Sequence, residues 1–285
     1  AAVEVPEGTN APINILLLGS DSRETVDPDA TAEDLKGFRS DVIMVAQVSP
    51  DRKNVTFMSI MRDNWVPIQG HGEAKINAAV AYGGVPLAVN TVENFIGARI
   101  DHVALIDFES FKGLTDAVGG VTVKNAIPFT SHHGNFDFAE GDITLNGEQA
   151  LGYVRERYAF SDGDYQRARN QQAYLKGLMK EILSRDTLTS PGKVTGTLDA
   201  LKPYLILDEA LDLNTAAALG VEMRDVRNDS FEFFTSPTLG TGASEDGQSI
   251  VLPDWAQIEK VRVAFQDGTL DEYVTNMNAA AAVTP

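Results

Sequence analysis

DVIMVAQVSPDRKNVTFMSIM, residues 41–61, reads as two apolar runs on either side of a polar centre. Asp41–Ser49 and Asn54–Met61 are rich in Val, Ile, Met and Phe, the composition of strands, and PDRK between them supplies a hairpin loop. In an antiparallel pair, residues equally far from the turn face each other. The turn centres between Asp51 and Arg52, so Asp41 stands opposite Arg62, with Arg39 and Asp63 close by. Upstream, INILLLG (Ile13–Gly19) is a short apolar run ended by glycine and reads as a buried strand. If it runs parallel to the third strand, its carboxyl end brings Asp21 to the same edge. That edge is where ligands usually sit in open α/β sheets. Asp21, Arg39, Asp41 and Arg62 are expected to converge there, with a long polar insertion between Asp21 and Arg39.

Downstream, strands and helices alternate. KINAAVAY is read as a short helix stopped by Gly83-Gly84, and PLAVNTVENFIG as a helix opened by proline and closed by glycine. HVALID (His102–Asp107) reads as a strand, FESFKGLTDAV (Phe108–Val118) as a helix and VTV as the next strand. A polar loop surrounds Ser131-His132-His133-Gly134. NGEQALGYVRER is helical at least to Tyr153. DYQRARNQQAYLKGLMKEIL is the longest helix, with Ala168, Gln172, Leu175, Met179 and Ile182 as its expected inward stripe. Residues 190–225 read as helical, FEFFT and SIVL as late strands, and DWAQIEKVRVAF and LDEYVTNM as closing helices. The alternation predicts an α/β fold with a mixed sheet. A single domain over 13–277 is expected, between a polar tail at 1–12 and an Ala-rich tail at 278–285.

Composition narrows the function. The 285 residues are 43% hydrophobic, enough for a substantial core. There are no cysteines, which excludes disulfides and thiolate metal sites. No run of about 18 apolar residues appears, and a chain starting at Ala1 is read as processed or excised. Acidic residues number 41 against 23 basic, for a net charge of −18. That balance argues against nucleic acid, which calls for a broad basic surface.

Against this background, YVRERYAFSDGDYQRARNQQ (Tyr153–Gln172) gathers Arg155, Arg157, Arg167 and Arg169. Guanidinium groups bind phosphate oxygens bidentately and stay charged at any working pH. Two readings stand at this point: a clamp for a small, highly charged anion, or ordinary ion pairing with Glu156, Asp162 and Asp164 on a solvated face. On a regular helix Arg167 and Gln171 share a face and Arg169 points elsewhere. Asp21 and Asp41 could hold Mg²⁺, which takes one or two carboxylates plus substrate phosphates; the alternative is solvated loop acids. His71, His102, His132 and His133 show no zinc spacing and read as loop or surface residues. No GxxxxGK[ST] loop and no GxSxG elbow is present. Trp65, Phe108 and Phe111 read as core.

Taken in order, NILLLGSDSR, RSDVIMVAQV, MSIMRD, KINAAVAYGG, DHVALIDFESFKGLTDAVGGV, LNGEQALGYVRER and GDYQRARNQQ resemble the LytR-CpsA-Psr family of bacterial cell-wall assembly, from about residue 13 to 180. SPTLGTGASEDGQSIVLP resembles the end of that domain. The resemblance implies a three-layer α/β/α fold with a central mixed sheet and a hydrophobic pocket for a polyprenyl chain. It implies a phosphotransferase that moves a phosphoglycan from a polyprenyl-pyrophosphate carrier onto peptidoglycan or a glycan-acceptor protein. Such a protein works at the extracytoplasmic face of the membrane and carries an N-terminal anchor. Carried over, Asp21 and Asp41 would coordinate Mg²⁺ or Mn²⁺, and Arg39, Arg62, Arg155 and Arg157 would contact phosphate. Arg167 and Gln171, with Arg169 beside them, would complete the head-group site, and Lys75 of KINAA would line the substrate pocket. Two departures stand out. Asn170 replaces the arginine of the family's RQQ, and SIMRD replaces SIPRD. Polyprenyl-diphosphate hydrolysis and a catalytically silent lipid-binding or regulatory module are the alternative functions. The glycan moved could be arabinogalactan, teichoic acid, capsule or a protein-linked glycan; the Ala-rich, acidic, Lys-poor composition suggests a high-GC actinobacterium, for which the resemblance would imply arabinogalactan.

Overall fold

The computed structural model describes residues 10–20, 40–182 and, apart from 198, 209, 212 and 224, residues 196–283. In chain order it forms β1 (Ile13–Ser20), β2 (Ser40–Val48), β3 (Val55–Ile60), β4 (Trp65–Ile68), β5 (Gly72–Lys75) and α1 (Ala78–Ile96). There follow β6 (His102–Ile106), α2 (Phe108–Ala117), β7 (Val121–Asn125), β8 (Phe129–Thr130), β9 (Asp137–Phe138) and β10 (Gly141–Leu145). The remainder comprises α3 (Gly147–Arg155), α4 (Asp164–Ile182), β11 (Ile206–Leu207), α5 (Leu213–Glu222), β12 (Phe231–Thr235), β13 (Thr238–Ala243) and β14 (Ser249–Pro253). Two helices close it, α6 (Trp255–Asp267) and α7 (Leu270–Val283). Where one domain over 13–277 is expected, the described residues fall into two compact units. The first holds residues 10–20, 40–104 and 225–283, the second 105–182 and 196–223. α7 continues through the alanine run of the expected 278–285 tail as far as Val283; alanine is the best helix former.

The first unit carries the central mixed sheet, with strands in the order β6-β1-β2-β3-β12. β1 and β2 pair antiparallel from Ile13↔Val48 to Gly19↔Val42, then a bulge sets Ser20 opposite Ser40. β2 and β3 pair antiparallel from Val48↔Val55 to Ile43↔Ile60. β1 and β3 therefore run in the same direction, as the sequence requires for its edge. β12 pairs parallel to β3, with Phe233 opposite Phe57 and their rings stacked at 4.8 Å. Every residue of β3 is buried, so its apolar run is continuous rather than alternating. The polar residue within the β2 run is satisfied: Gln47 donates to Asn14 Oδ1 and to the Phe265 carbonyl, both at 3.0 Å. A buried amide without such partners would be costly. α1 is two helical stretches joined at a kink. Gly84 there takes φ +66° and ψ −164°, a region open to glycine alone. Gly97 closes the helix in the left-handed conformation.

The second unit is built around Leu114, Val121, Val123, Leu145, Tyr153, Val154, Tyr174 and Leu178. β7 pairs with β10 and β8 with β9, both antiparallel. Asp107 caps α2 by accepting from the Ser110 amide at 2.7 Å. Asn146 and Gln149 form a capping box at the start of α3. The expected inward stripe of α4 holds in part: Ala168 is buried and Leu175 and Ile182 pack half-buried against the core, while the buried positions also include Gln166, Arg167, Asn170, Tyr174, Gly177 and Leu178. Tyr174 faces inward because its hydroxyl meets Thr115 Oγ1 at 2.8 Å. Gly177 faces inward because a Cβ there would stand 2.4 Å from the Thr122 carbonyl oxygen.

Candidate functional site

In the first unit, the β2–β3 register extended by two residues sets Asp41 opposite Arg62, and the two side chains form an ion pair. Arg62 Nε lies 3.8 Å from Asp63 Oδ2, and Lys75 Nζ lies 3.3 Å from Asp63 Oδ1. Signs alternate through this cluster, Asp41–Arg62–Asp63–Lys75, and its side chains are between 19 and 25% exposed. Lys75 is the last residue of β5, not the start of a helix as KINAAVAY suggests. It is delivered by main-chain bonds, from the Ile76 amide to the Asn64 carbonyl at 2.8 Å and from the Asn77 amide to the Arg62 carbonyl at 3.2 Å. Ser20 and Ser40 pair at this same end of the sheet. Asp21 and Arg39, the next residues in sequence on either side, lie outside the described residues.

In the second unit the arginines are gathered where α3 gives way to α4. Arg155 ends α3, and its guanidinium sits over the Phe108 ring, 4.2 Å from the centroid. Phe108, read from sequence as core, is half-buried and serves as that platform. Arg157 lies 3.8 Å from Asp164, stacks over the Tyr158 ring at 4.6 Å and donates to the Tyr158 hydroxyl at 2.5 Å. Arg167 NH2 lies 3.2 Å from Asp164 Oδ2, so one carboxylate serves two guanidiniums. Arg169 turns away, paired to Asp162 and donating to Gln166 Oε1 at 2.8 Å. Both readings of the cluster thus have a footing. Arg157, Arg167 and Arg169 each have a carboxylate partner in this region, while Arg155 and Arg157 also lie on aromatic faces.

Gln171 and Asn170 are occupied at the end of α3. A helix leaves its last carbonyls without intrahelical donors. Here Asn170 Nδ2 donates to the Tyr153 carbonyl at 3.2 Å and Gln171 Nε2 to the Val154 carbonyl at 3.3 Å. The Asn170 that departs from the family pattern is therefore a buried cap on the very helix end that presents Arg155.

Two residues were not legible as site components. Glu156 is buried and accepts from the amides of His132 at 2.6 Å, Arg157 at 3.0 Å and Ala159 at 2.9 Å. Its Oε1 also lies 3.0 Å from His132 Nδ1. Burial pushes this carboxyl up, but the donors outweigh it and hold the group below the usual carboxylate range. His132, read as a loop histidine, is thereby tied to the arginine corner. Its position in the β8–β9 hairpin gives no such signal in sequence. Burial also pushes the Tyr153 phenol up to about 12.

Among the described residues no group of three or more His, Asp or Glu is gathered that could hold a metal ion, and no helix is long and apolar enough to cross a membrane. The donor chemistry of Asp41 suits a hard cation that draws its remaining ligands from phosphate and water.

The model of the LytR_cpsA_psr family matches residues 2–266. The polyisoprenyl-teichoic acid–peptidoglycan teichoic acid transferase TagU of Enterococcus faecalis is 34% identical over 255 residues, covering 88% of this chain and 78% of its own. The protein of the same name from Bacillus anthracis is 40% identical over 206 residues, covering 71% of this chain and 63% of its own, so the chain spans just under two thirds of that relative. The crystal structure of B. subtilis TagV has a TM-score of 0.76 at 27% identity, covering 91% of this chain and 98% of that one. TagT bound to LI-WTA shares the fold, with a TM-score of 0.71 at 24% identity and coverage of 94% of each chain. With the family match running through both compact units and a relative 34% identical over most of its length, the chain belongs to the LytR-CpsA-Psr family.

Proposed function

We propose that this chain is a phosphotransferase that moves a glycopolymer from a polyprenyl-pyrophosphate carrier onto an acceptor hydroxyl of peptidoglycan. The names of its relatives, which transfer teichoic acid from a polyisoprenyl carrier to peptidoglycan, support the substrate class. The observation that carries the chemistry is the arginine corner of the second unit, where the Arg155 guanidinium lies over the Phe108 ring and that of Arg157 over the Tyr158 ring, with Arg157 sharing the Asp164 carboxylate with Arg167. Guanidinium groups so fixed are pre-oriented for the planar, bidentate contact that phosphate offers. Arg62, Arg39 and Lys75 are the phosphate-binding residues this reading assigns within the first unit, and in the second Arg167 and Gln171 stand beside the corner with Arg169 at its rim.

In the reaction, the acceptor oxygen forms a bond to the glycan-side phosphorus and the bridging P–O bond breaks. Its electron pair leaves on polyprenyl phosphate, which takes up the proton lost by the hydroxyl. Phosphoryl transfer of this kind relies on positioning and on stabilising charge that develops on phosphate oxygens. Arg155 and Arg157 orient those oxygens and offset their charge. Asp41 and Asp21 are the residues that would hold Mg²⁺ or Mn²⁺, and the cation, when bound, supplies further charge neutralisation at the diphosphate. Asp41 is itself oriented by Arg62. A hydrophobic pocket for the polyprenyl chain, an N-terminal anchor and an extracytoplasmic location belong to this same reading.

The test uses the purified chain with a polyprenyl-pyrophosphate-linked glycan, in Mg²⁺ or EDTA, with and without peptidoglycan, followed by mass spectrometry. Metal-dependent release of polyprenyl monophosphate together with glycosylated peptidoglycan is the expected result. Release without acceptor modification would make the chain a pyrophosphatase. Binding without turnover in any acceptor would make it a lipid-binding module. Teichoic acid and arabinogalactan donors run in parallel separate the two glycopolymer classes.

A further inference from the structure

Glu156 lies between the two arginines of the corner, and its carboxylate is spent on main-chain amides and one imidazole. It is 3% exposed. Burying a charge is costly unless it is fully hydrogen-bonded, and this one is. Oε2 accepts from the His132 amide at 2.6 Å, while Oε1 accepts from the amides of Arg157 and Ala159 at 3.0 and 2.9 Å and meets His132 Nδ1 at 3.0 Å. These bonds shape residues 156–159 into a turn beyond α3 and fasten it to the loop at Ser131–Gly134. Tyr158 rises from that turn, 68% exposed. The His132 ring meets it edge-on at 5.5 Å, and the Arg157 guanidinium covers its ring and donates to its hydroxyl. His132, Tyr158 and Arg157 thus form a stack whose base is one buried carboxylate.

We propose that Glu156 is a positioning residue for phosphate transfer: by clamping the amides of His132, Arg157 and Ala159 it holds the Arg157 guanidinium, through Tyr158, in the orientation that meets a pyrophosphate oxygen. The inference rests on the assignment of Arg157 to phosphate made above. A glutamate serving only the fold would lower stability when changed and leave the behaviour of a folded Arg157 intact. Glutamine in its place is nearly isosteric, but its amide carries two donors. Whichever way it turns, an N–H faces another N–H where the carboxylate accepted.

The experiment is a calorimetric binding cycle with inorganic pyrophosphate on the full chain, for wild type, Glu156→Gln, Arg157→Ala and the double variant. Circular dichroism reports the fold of each. Arg157→Ala is expected to weaken pyrophosphate binding, and Glu156→Gln to weaken it about tenfold with a native spectrum. The double variant is expected to bind no more weakly than Arg157→Ala alone, because the carboxylate acts through that guanidinium. If Glu156→Gln does not fold, His132→Ala, whose ring is largely exposed, takes its place in the cycle. Wild-type affinity in the folded variant, or losses that simply add in the double variant, overturns the positioning role and leaves the proposed function standing. Wild-type affinity in Arg157→Ala, or no pyrophosphate binding by the wild-type chain, overturns the part of Arg157 in that function and this inference with it.

Discussion

Arg155 and Arg157 differ from the other arginines of their segment in what holds them. Arg167 and Arg169 face carboxylates, whereas Arg155 lies on Phe108, and Arg157 lies on Tyr158 with the Asp164 carboxylate 3.8 Å away. An aromatic face restrains a guanidinium without neutralising it, and the charge stays available for an anion. Arg155→Ala or Arg157→Ala should therefore lower transfer by about 100-fold, the scale of losing one charge-stabilising donor, with the circular dichroism spectrum unchanged. Full activity in a folded Arg155→Ala/Arg157→Ala variant would remove both from the mechanism. A second expectation concerns Tyr153, whose phenol is pushed up to about 12 by burial while its hydroxyl donates to Asn125 at 3.3 Å. A group whose folded pKa lies above its unfolded value of about 10 contributes stability that is complete below that value and is lost as pH rises towards 12. Thermal midpoints of the wild type should fall more steeply across that alkaline window than those of Tyr153→Phe. Identical slopes would show that the phenol does not titrate with unfolding. Tyr174 and Tyr273, also shifted upward by burial, remain in the variant, so its slope is reduced rather than flat.

α4 shows how packing overrides a pattern of apolar letters. Leu175, Met179 and Ile182 are the natural inward stripe by composition, and Leu175 and Ile182 do pack against the core, yet Tyr174 and Gly177 are buried more deeply. A tyrosine with a partner for its hydroxyl and a glycine that admits a close backbone approach are invisible to a count of apolar residues. Gly177→Ala should cost about 1–3 kcal/mol, because the new methyl meets the Thr122 carbonyl, a main-chain atom of β7 that cannot swing aside. The shift in urea midpoint checks it, and a neutral or stabilising result would mean that α4 slides on β7 without penalty. The longer elements were legible because their signals extend over many residues: the β1, β2 and β3 runs, the Gly83-Gly84 break and the Asp107-capped α2. The hairpins β4–β5 and β8–β9 were missed because strands of four and two residues hold too few positions for a period to show.

The net charge of −18 acts on the chain as a whole. Excess like charge repels itself in the compact state. Raising ionic strength to about 0.15 M, where the Debye length falls to about 8 Å, should raise the thermal midpoint. The same salt should weaken pyrophosphate binding, because the attraction of the arginine corner is screened too. Thermal scans and calorimetry over one salt series test the pair of opposite slopes. A midpoint that does not rise would remove global repulsion as the governing effect, and binding that does not weaken would remove the local cationic site.

Hydrophobic runs, glycine and proline positions and the mirror symmetry of a hairpin are properties of adjacent letters. They sufficed for the mixed α/β class, the β2–β3 register and the pairing of Asp41 with Arg62, because antiparallel register depends only on distance from the turn. The ordered family motifs carried the choice of arginines in the same way. That Arg155 rests on the Phe108 ring, and that Asn170 and Gln171 cap α3, depend on residues that separate elements bring together. Glu156 is the clearest case. In sequence it is one acid among 41. Its bonds to His132, 24 residues away, arise when the β8–β9 hairpin is laid against the end of α3. Such a contact is selected by packing and by the demand that a buried charge be fully hydrogen-bonded, and neither condition exists until the chain has folded.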